Sequence, residues 1–233
     1  MKRYKPLFSG IRDNFLFNEA VIKVDVSWVK ESLLKLKNKL INKDYGNLEI
    51  EEILNREFLP HFVKFENGFD SEYTNDFYGS VQIIKGSMYE NGLIRIDYYS
   101  TFWEIFEDDT LYNEFIKVVS SIIYHERVHV YQLQKSHNKL KYVDTSSNYT
   151  YLSNIHEIQA HAQQAVFDLI NMGYSVEEIK KKVKSKSEIK DFISSDAFWK
   201  YYDHFGQYEL QNDDKYSKVW PIFLKYFYST LEK

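Results

Sequence analysis

The chain has 233 residues, and its 30 Lys and Arg against 34 Asp and Glu give a formal net charge of −4. This length suits one domain, while 44% hydrophobic and 27% charged residues exclude global disorder. The mild acidity argues against a protein built to neutralise phosphates, so we expect no nucleic-acid partner. The absence of cysteine excludes disulfides and Cys-based zinc sites, so a transition metal would need His and carboxylate ligands.

Two sequence features bear on location. No run of 18 apolar residues is present, so we expect no membrane-spanning helix and no membrane partner. The first residues, MKRYKPLFSGIRDNF, lack the apolar stretch of a secretory signal. We therefore expect a cytoplasmic protein. Together with a composition rich in Lys, Asn, Ile, Tyr and Phe, which is typical of an AT-rich genome, this favours a bacterial or phage source, and a phage-encoded protein would reside in the host cytoplasm or the virion.

Aromatic residues are abundant, with 20 Tyr, 17 Phe and 4 Trp. They could form a stacking surface for nucleic acid. However, acidic residues interleave with them, no basic stripe is visible, and the codon usage of an AT-rich genome favours the same residues. We therefore favour the compositional explanation.

The first predicted elements are two helices. Residues 27–43 follow an amphipathic period, with Ser27 as a candidate N-cap, and residues 48–57 predict a second, shorter helix. The period then changes, and residues 58–66 could form a strand.

Two better strand candidates follow, Val81–Lys85 and Leu93–Tyr99. The segment between them, Gly86–Gly92, ends in Asn-Gly, which is a strong turn signal. In the second strand alternation predicts two faces, one with Ile94, Ile96 and Tyr98 and the other with Leu93, Arg95 and Asp97.

The rest of the chain predicts helices. A long helix begins at a cap formed by Asp109 or Thr110 and runs to about residue 136. A second begins at Ser153 and ends before Gly173, a good residue for the left-handed position after a helix. The remaining predictions are a Ser175–Glu178 capping box, helices at 176–185, 188–205 and 217–231, and Ser217 as the last cap.

These elements predict a mostly helical α+β fold with a small sheet before the long helix. We expect one domain over residues 1–233. Its N-terminal helices and sheet would occupy about 1–105, and the long helix and a C-terminal helical lobe about 106–233.

The long helix contains the motif HExxH, formed by His125, Glu126 and His129. On a helix the two imidazoles lie one turn apart on one face and can bind one ion, while Glu126 lies beside them within reach of a metal-activated water. An apolar stripe leads to the motif, formed by Leu111, Phe115, Val118 and Ile122, and Lys117, Ser120 and Arg127 are expected on the solvent side. The alternative is a pair of hydrogen-bonded core histidines with a salt-bridged Glu126.

Glu157, in the first turn of the next long helix, is the candidate third ligand. It could complete a site of two histidines and one glutamate with one open position. Alternatively, Glu157 is a first-turn acid favoured by the helix dipole. His161 is a rival ligand or a supporting partner, whereas His156 points to another side of the helix.

The pattern of HERVH followed by Glu157 and Ala160 on a later helix resembles the zincin metallopeptidases, specifically the gluzincin branch. The metzincin pattern does not fit, because His137 lies eight residues after His129 where that pattern needs six. The resemblance covers about residues 80–170. It implies one Zn²⁺ per chain, bound by His125, His129 and Glu157, in a hydrolase with Glu126 as general base. It also implies a peptide or protein substrate, and residues 93–99 as the edge strand that pairs with it.

Supporting residues are less well defined by the sequence. Gln132, Tyr151 and His161 are candidates for orienting a ligand or stabilising the oxyanion. Further oxyanion candidates, which could equally be core residues, are Tyr149, Tyr201, Tyr202 and His204. The competing function is a zincin-like scaffold that binds zinc or a protein partner without turnover.

Overall fold

The structure is a computed structural model that describes residues 25–40, 47–67, 83–88, 92–98, 106–135, 147–185, 188–207 and 213–232. It has the predicted α+β class, with many helices and one small sheet. Two compact units are present, an N-terminal unit within Val24–Lys141 and a C-terminal unit whose described residues lie within Tyr142–Lys233. In the described part of the chain, no helix has the length and apolar character needed to cross a membrane.

The N-terminal unit contains three helices and the sheet. Its elements are α1 (Ser27–Leu40), α2 (Asn47–Phe58), a 3₁₀ turn (Leu59–His61), β1 (Val63–Asn67), β2 (Ile83–Met88), β3 (Ile94–Tyr98) and α3 (Asp109–Lys135). Helix α1 packs on α3, α2 packs on β1, and β2 and β3 pack on α3. The sheet and α1 therefore hold the long helix from two sides.

Helix boundaries are close to the predictions, but two caps differ. Asp25 accepts from the backbone N–H of Ser27 at 2.9 Å, so Ser27 is the first helical residue of α1 and not its cap. Asp108 Oδ1 accepts from the N–H groups of Thr110 and Leu111, so the acid before the predicted cap begins α3. Several cap-forming residues are adjacent at both sites, and spacing alone does not choose between them.

The sheet order is β1-β3-β2, with β1 parallel and β2 antiparallel to β3. The prediction that residues 93–99 form an edge strand is therefore wrong, because β3 is paired on both sides. Of the two faces that alternation predicted, one buries Ile94 and Ile96, and on the other Asp97 is buried as well. Strand β2 also differs from Val81–Lys85, because it continues through Gly86 to Met88. Asn91 lies outside the described residues, and Gly92 has the positive φ of 81°.

The outer edge of β1 is occupied by a side chain. The Asn55 amide of α2 donates to the carbonyl of Phe65 at 3.0 Å and accepts from its N–H at 2.7 Å. One side chain thus replaces the backbone of a neighbouring strand at the middle residue of β1. Such cover protects an exposed sheet edge from pairing with another chain.

In the described part of the C-terminal unit, all secondary-structure elements are helical. It contains α4 (Asn148–Leu152), α5 (Ile155–Asn171), α6 (Val176–Val183), a 3₁₀ segment (Ile189–Ser194), α7 (Asp196–Tyr201), a π-helical turn (Tyr202–Gln207) and α8 (Val219–Leu231). Its core lies where α5 packs on α7 and α8. The predicted single helix at 188–205 is wrong, because Ser195 ends the 3₁₀ segment and caps α7 through the N–H of Phe198.

Caps in this unit test the local predictions. Ser153 ends α4, and Asn154 caps α5, one residue after the predicted cap. Lys218 is the cap of α8 in place of Ser217. The Ser175–Glu178 capping box is confirmed.

The predicted end of α5 at Gly173 is also confirmed. Gly173 has a φ of 94°, which only glycine adopts without strain. Its N–H donates to Ile170, and the N–H of Tyr174 donates to Leu169, which satisfies two terminal carbonyls of α5.

Candidate metal centre

Helix α3 buries the HExxH segment, although its buried stripe is not the predicted one. The buried apolar and aromatic residues are Tyr112, Phe115, Val119, Ile123, Tyr124 and Val128, whereas Leu111, Val118 and Ile122 are only partly buried. Ser120, predicted on the solvent side, is buried as well. The stripe is rotated because α1 and the sheet both cover the helix.

His125 and Glu126 are buried, with 7% and 8% of their surface exposed, and His129 is half-buried. The two imidazoles converge, since Nε2 of His125 lies 3.0 Å from Nε2 of His129. A tetrahedral zinc ion with Zn–N bonds of 2.0–2.1 Å places two nitrogen ligands about 3.3 Å apart. The observed separation is close to that value.

The second ring nitrogen of His129 has its own partner. Nδ1 of His129 lies 2.8 Å from Oε1 of Gln132, which is 3% exposed. An amide oxygen only accepts, so Nδ1 of His129 carries the proton and donates it. Nε2 of a neutral His129 therefore presents its lone pair towards His125. The structure thus brings His125, His129 and Gln132 together.

Arg127, predicted on the solvent side, braces α3 on the opposite face. Its guanidinium lies over the Trp28 ring at 5.4 Å, and that ring stacks on His61 at 3.9 Å. The guanidinium also donates to the carbonyls of Asp25 and His61 at 3.4 and 3.5 Å. Burial lowers the pKa of Arg127, and the charge of Asp25 partly opposes that shift.

Sequence reasoning missed this brace because its aromatic partners come from α1 and the 3₁₀ turn. Local sequence carries no signal for it, because the carbonyls of Asp25 and His61 that bind Arg127 lie 102 and 66 residues away in the chain. His137, the other histidine after α3, lies outside the described residues.

Within the C-terminal unit, α5 presents Glu157 and His161 one turn apart on a shared face. Both are buried, at 5% and 8% exposure, and His156 is half-buried with its N–H bound to Asn154. A buried carboxylate in the first turn is favoured by the helix dipole and by positive groups near it. Glu157 is thus removed from bulk water, whereas a first-turn acid with only a helix-dipole role could remain exposed.

Aromatic rings surround His161. The centroid of the Tyr201 ring lies 5.4 Å from that of His161, and the Tyr151 ring lies 6.3 Å away. Tyr201 donates its hydroxyl to the carbonyl of Leu152 at 2.9 Å. Burial, and secondarily the negative charge of Glu157, raises the pKa of Tyr201 well above its usual value. Its proton is thus held in a structural hydrogen bond.

The other oxyanion candidates lie in aromatic packing. Tyr149 is exposed and packs edge-on against His204 at 5.4 Å between ring centroids. Tyr202 is buried and packs near Phe198 and Trp220. These ring contacts are aromatic packing within the helical C-terminal unit.

Comparison with known proteins adds no family. No family model matches the chain, and neither the curated proteins nor the solved structures contain a match.

Proposed function

We propose that this protein is a zinc-dependent peptidase that binds one Zn²⁺ through His125, His129 and Glu157 and uses Glu126 as general base. The observation that carries the proposal is the convergence of the His125 and His129 imidazoles on α3, whose Nε2 atoms lie 3.0 Å apart. Two hydrogen-bonded core histidines could also stand this close, but only a metal-binding pair would lose a stoichiometric zinc ion when either histidine is replaced.

The donor set supports zinc. His125, His129 and Glu157 offer two imidazole nitrogens and one carboxylate oxygen, a group that could hold a metal ion. Two neutral ligands and one anion leave the fourth position of a tetrahedral zinc ion for water or substrate, as catalytic sites require. The fixed Nδ1–H of His129 supports this further, because zinc ligands commonly donate their other ring N–H to an acceptor.

Zinc in this site would supply Lewis-acid activation of a water molecule and of the scissile carbonyl. Glu126 would accept the proton of the attacking water and then donate it to the leaving amine. Its position supports this role, because it is buried next to His125 on α3 but projects about 100° around the helix from it. His161 and Tyr151 are the proposed groups for orienting a ligand or stabilising the oxyanion.

The proposed substrate is an extended peptide, and the sheet order changes where it would pair. Strand β3 is central, and Asn55 covers the middle of β1. We therefore move the proposed pairing from β3 to β2, which is an edge strand of the described sheet and packs on α3. Backbone pairing at β2 would hold a peptide in register with little dependence on its side chains.

Metal analysis and peptide digestion test the proposal together. Protein purified without added metal should contain about one zinc per chain. His125→Ala, His129→Ala and Glu157→Ala should each lose most of it, whereas Glu177→Ala, an exposed glutamate of α6, should retain it. Loss of zinc in His161→Ala with retention in Glu157→Ala would identify His161 as the third ligand.

Glu126→Gln separates catalysis from metal binding. It should keep the zinc and lose cleavage of a peptide library by at least 100-fold, because an amide cannot accept the water's proton. A chelator should abolish wild-type cleavage. A folded, zinc-loaded wild type that leaves the library intact, with Glu126→Gln no different from it, would instead favour the non-catalytic scaffold.

A further inference from the structure

We propose that Gln132 is a positioning residue that sets the tautomer of His129 and so prepares its Nε2 atom to bind the metal. The inference rests on the proposed zinc site and adds a residue that would not touch the ion. It starts from the 2.8 Å contact between Gln132 Oε1 and His129 Nδ1 and from the burial of Gln132.

A neutral imidazole carries one proton, on either Nδ1 or Nε2. Only the tautomer with the proton on Nδ1 leaves Nε2 free to coordinate a metal. Gln132 Oε1 cannot donate, so its contact stabilises that tautomer selectively. The tautomer of His129 matters for metal binding because its Nε2 lies 3.0 Å from Nε2 of His125. A proton on His129 Nε2 would occupy the space that the ion needs.

The placement of Gln132 supports a specific role. It lies three residues after His129 on α3, and its side chain is 3% exposed. A buried amide costs about 1–3 kcal/mol of folding free energy unless it is hydrogen-bonded, and an apolar residue would pack there without that cost. Glutamine also keeps the partner neutral, so it orients the imidazole without adding a second anion beside Glu126.

Three substitutions separate this role from packing. Gln132→Met preserves side-chain length and removes the acceptor, whereas Gln132→Glu preserves the acceptor. The matched control is Gln134→Met, on the same helix but exposed. Zinc affinity is measured by competition with a chromophoric chelator at one pH, well above the ordinary His pKa of about 6.5.

Gln132→Met should weaken zinc binding by about 10–100-fold, the usual effect of losing a partner to a ligating histidine. Gln132→Glu and Gln134→Met should bind zinc at least as tightly as the wild type. In zinc-free protein labelled with ¹⁵N-histidine, NMR should place the His129 proton on Nδ1 in the wild type and at least partly on Nε2 in Gln132→Met. Circular dichroism establishes that each variant is folded.

Two results would overturn the role of Gln132 while leaving the zinc site intact. One is wild-type zinc affinity in a folded Gln132→Met variant, and the other is an equal loss in Gln132→Met and Gln132→Glu. Failure of the wild type itself to bind zinc would instead refute the proposed function, and with it this role.

Discussion

Asn55→Leu should destabilise the N-terminal unit, because the Asn55 amide takes the place of a neighbouring strand at the edge of β1. The substitution keeps the branching and the number of heavy atoms of the side chain and removes both hydrogen bonds to the backbone of Phe65. At a net value of about 1 kcal/mol for each bond, we expect a loss of about 2 kcal/mol in the free energy of unfolding. Urea denaturation should show a lower midpoint with an unchanged slope.

Two control variants test whether the loss of stability comes from the hydrogen bonds of Asn55. Asn55→Asp keeps an acceptor for the Phe65 N–H and loses only the donor, so it should be less destabilising than Asn55→Leu. Asn38→Leu, on the exposed face of α1, should change stability by less than about 0.5 kcal/mol. If Asn55→Leu were as stable as Asn38→Leu, the Asn55 amide would not be covering the edge. Opening that edge should also cause concentration-dependent association, measured by size-exclusion chromatography.

Two further predictions concern buried tyrosines. Tyr201→Phe removes the hydroxyl bond to the Leu152 carbonyl and should cost about 1–2 kcal/mol of stability in urea denaturation, whereas retention of full stability would refute a structural role for that bond. Burial raises the pKa of Tyr112 from its usual 10.0 to about 12, so the folded state keeps this proton longer than the unfolded state does. The resulting stability is fully present below pH 10 and is lost as the pH rises towards 12, and Tyr112→Phe should show a smaller loss over that range in the same assay.

Helices with strong local signals were predictable from the sequence. Helix α3 has a long apolar period and an acidic start, and α6 has a Ser175–Glu178 capping box, so their extents needed little tertiary information. Exact caps were less predictable, since Asp108, Asp109 and Thr110 can all begin a helix. The interruption at Ser195, between the 3₁₀ segment and α7, was not predicted because the spacing of apolar residues continues through it.

The sheet order was not predictable from local pattern. Residues 58–66 contain the end of α2, a 3₁₀ turn and the start of β1, and such a short mixed segment has no single period. The parallel pairing of β1 with β3 joins residues that are 31 positions apart in the chain, such as Val63 and Ile94, so no hairpin signal predicts it. The central position of β3 follows from that pairing.

The histidine pair was predictable because helical geometry alone places residues i and i+4 on one face. Gln132 was open to two interpretations, since a residue three positions after His129 can point to the same side or to solvent. Arg127 was placed wrongly because its partners, Trp28 and His61, lie about 100 and 66 residues earlier in the chain. Side-chain partners at such separations depend on the packed fold and not on sequence spacing.

The N-terminal unit forms its core without help from the histidines. Apolar residues of α1 and α3, together with the Trp28 and Arg127 brace, already fix the long helix against its neighbours. Lys37 and Asp109 add an ion pair near its start. Buried ionisable groups at His125 and Glu126 are costly beside such a core, and apolar side chains would stabilise the same helix better. Stability therefore does not account for these residues, whereas a metal-dependent reaction needs two nitrogen ligands and a neighbouring base in this arrangement.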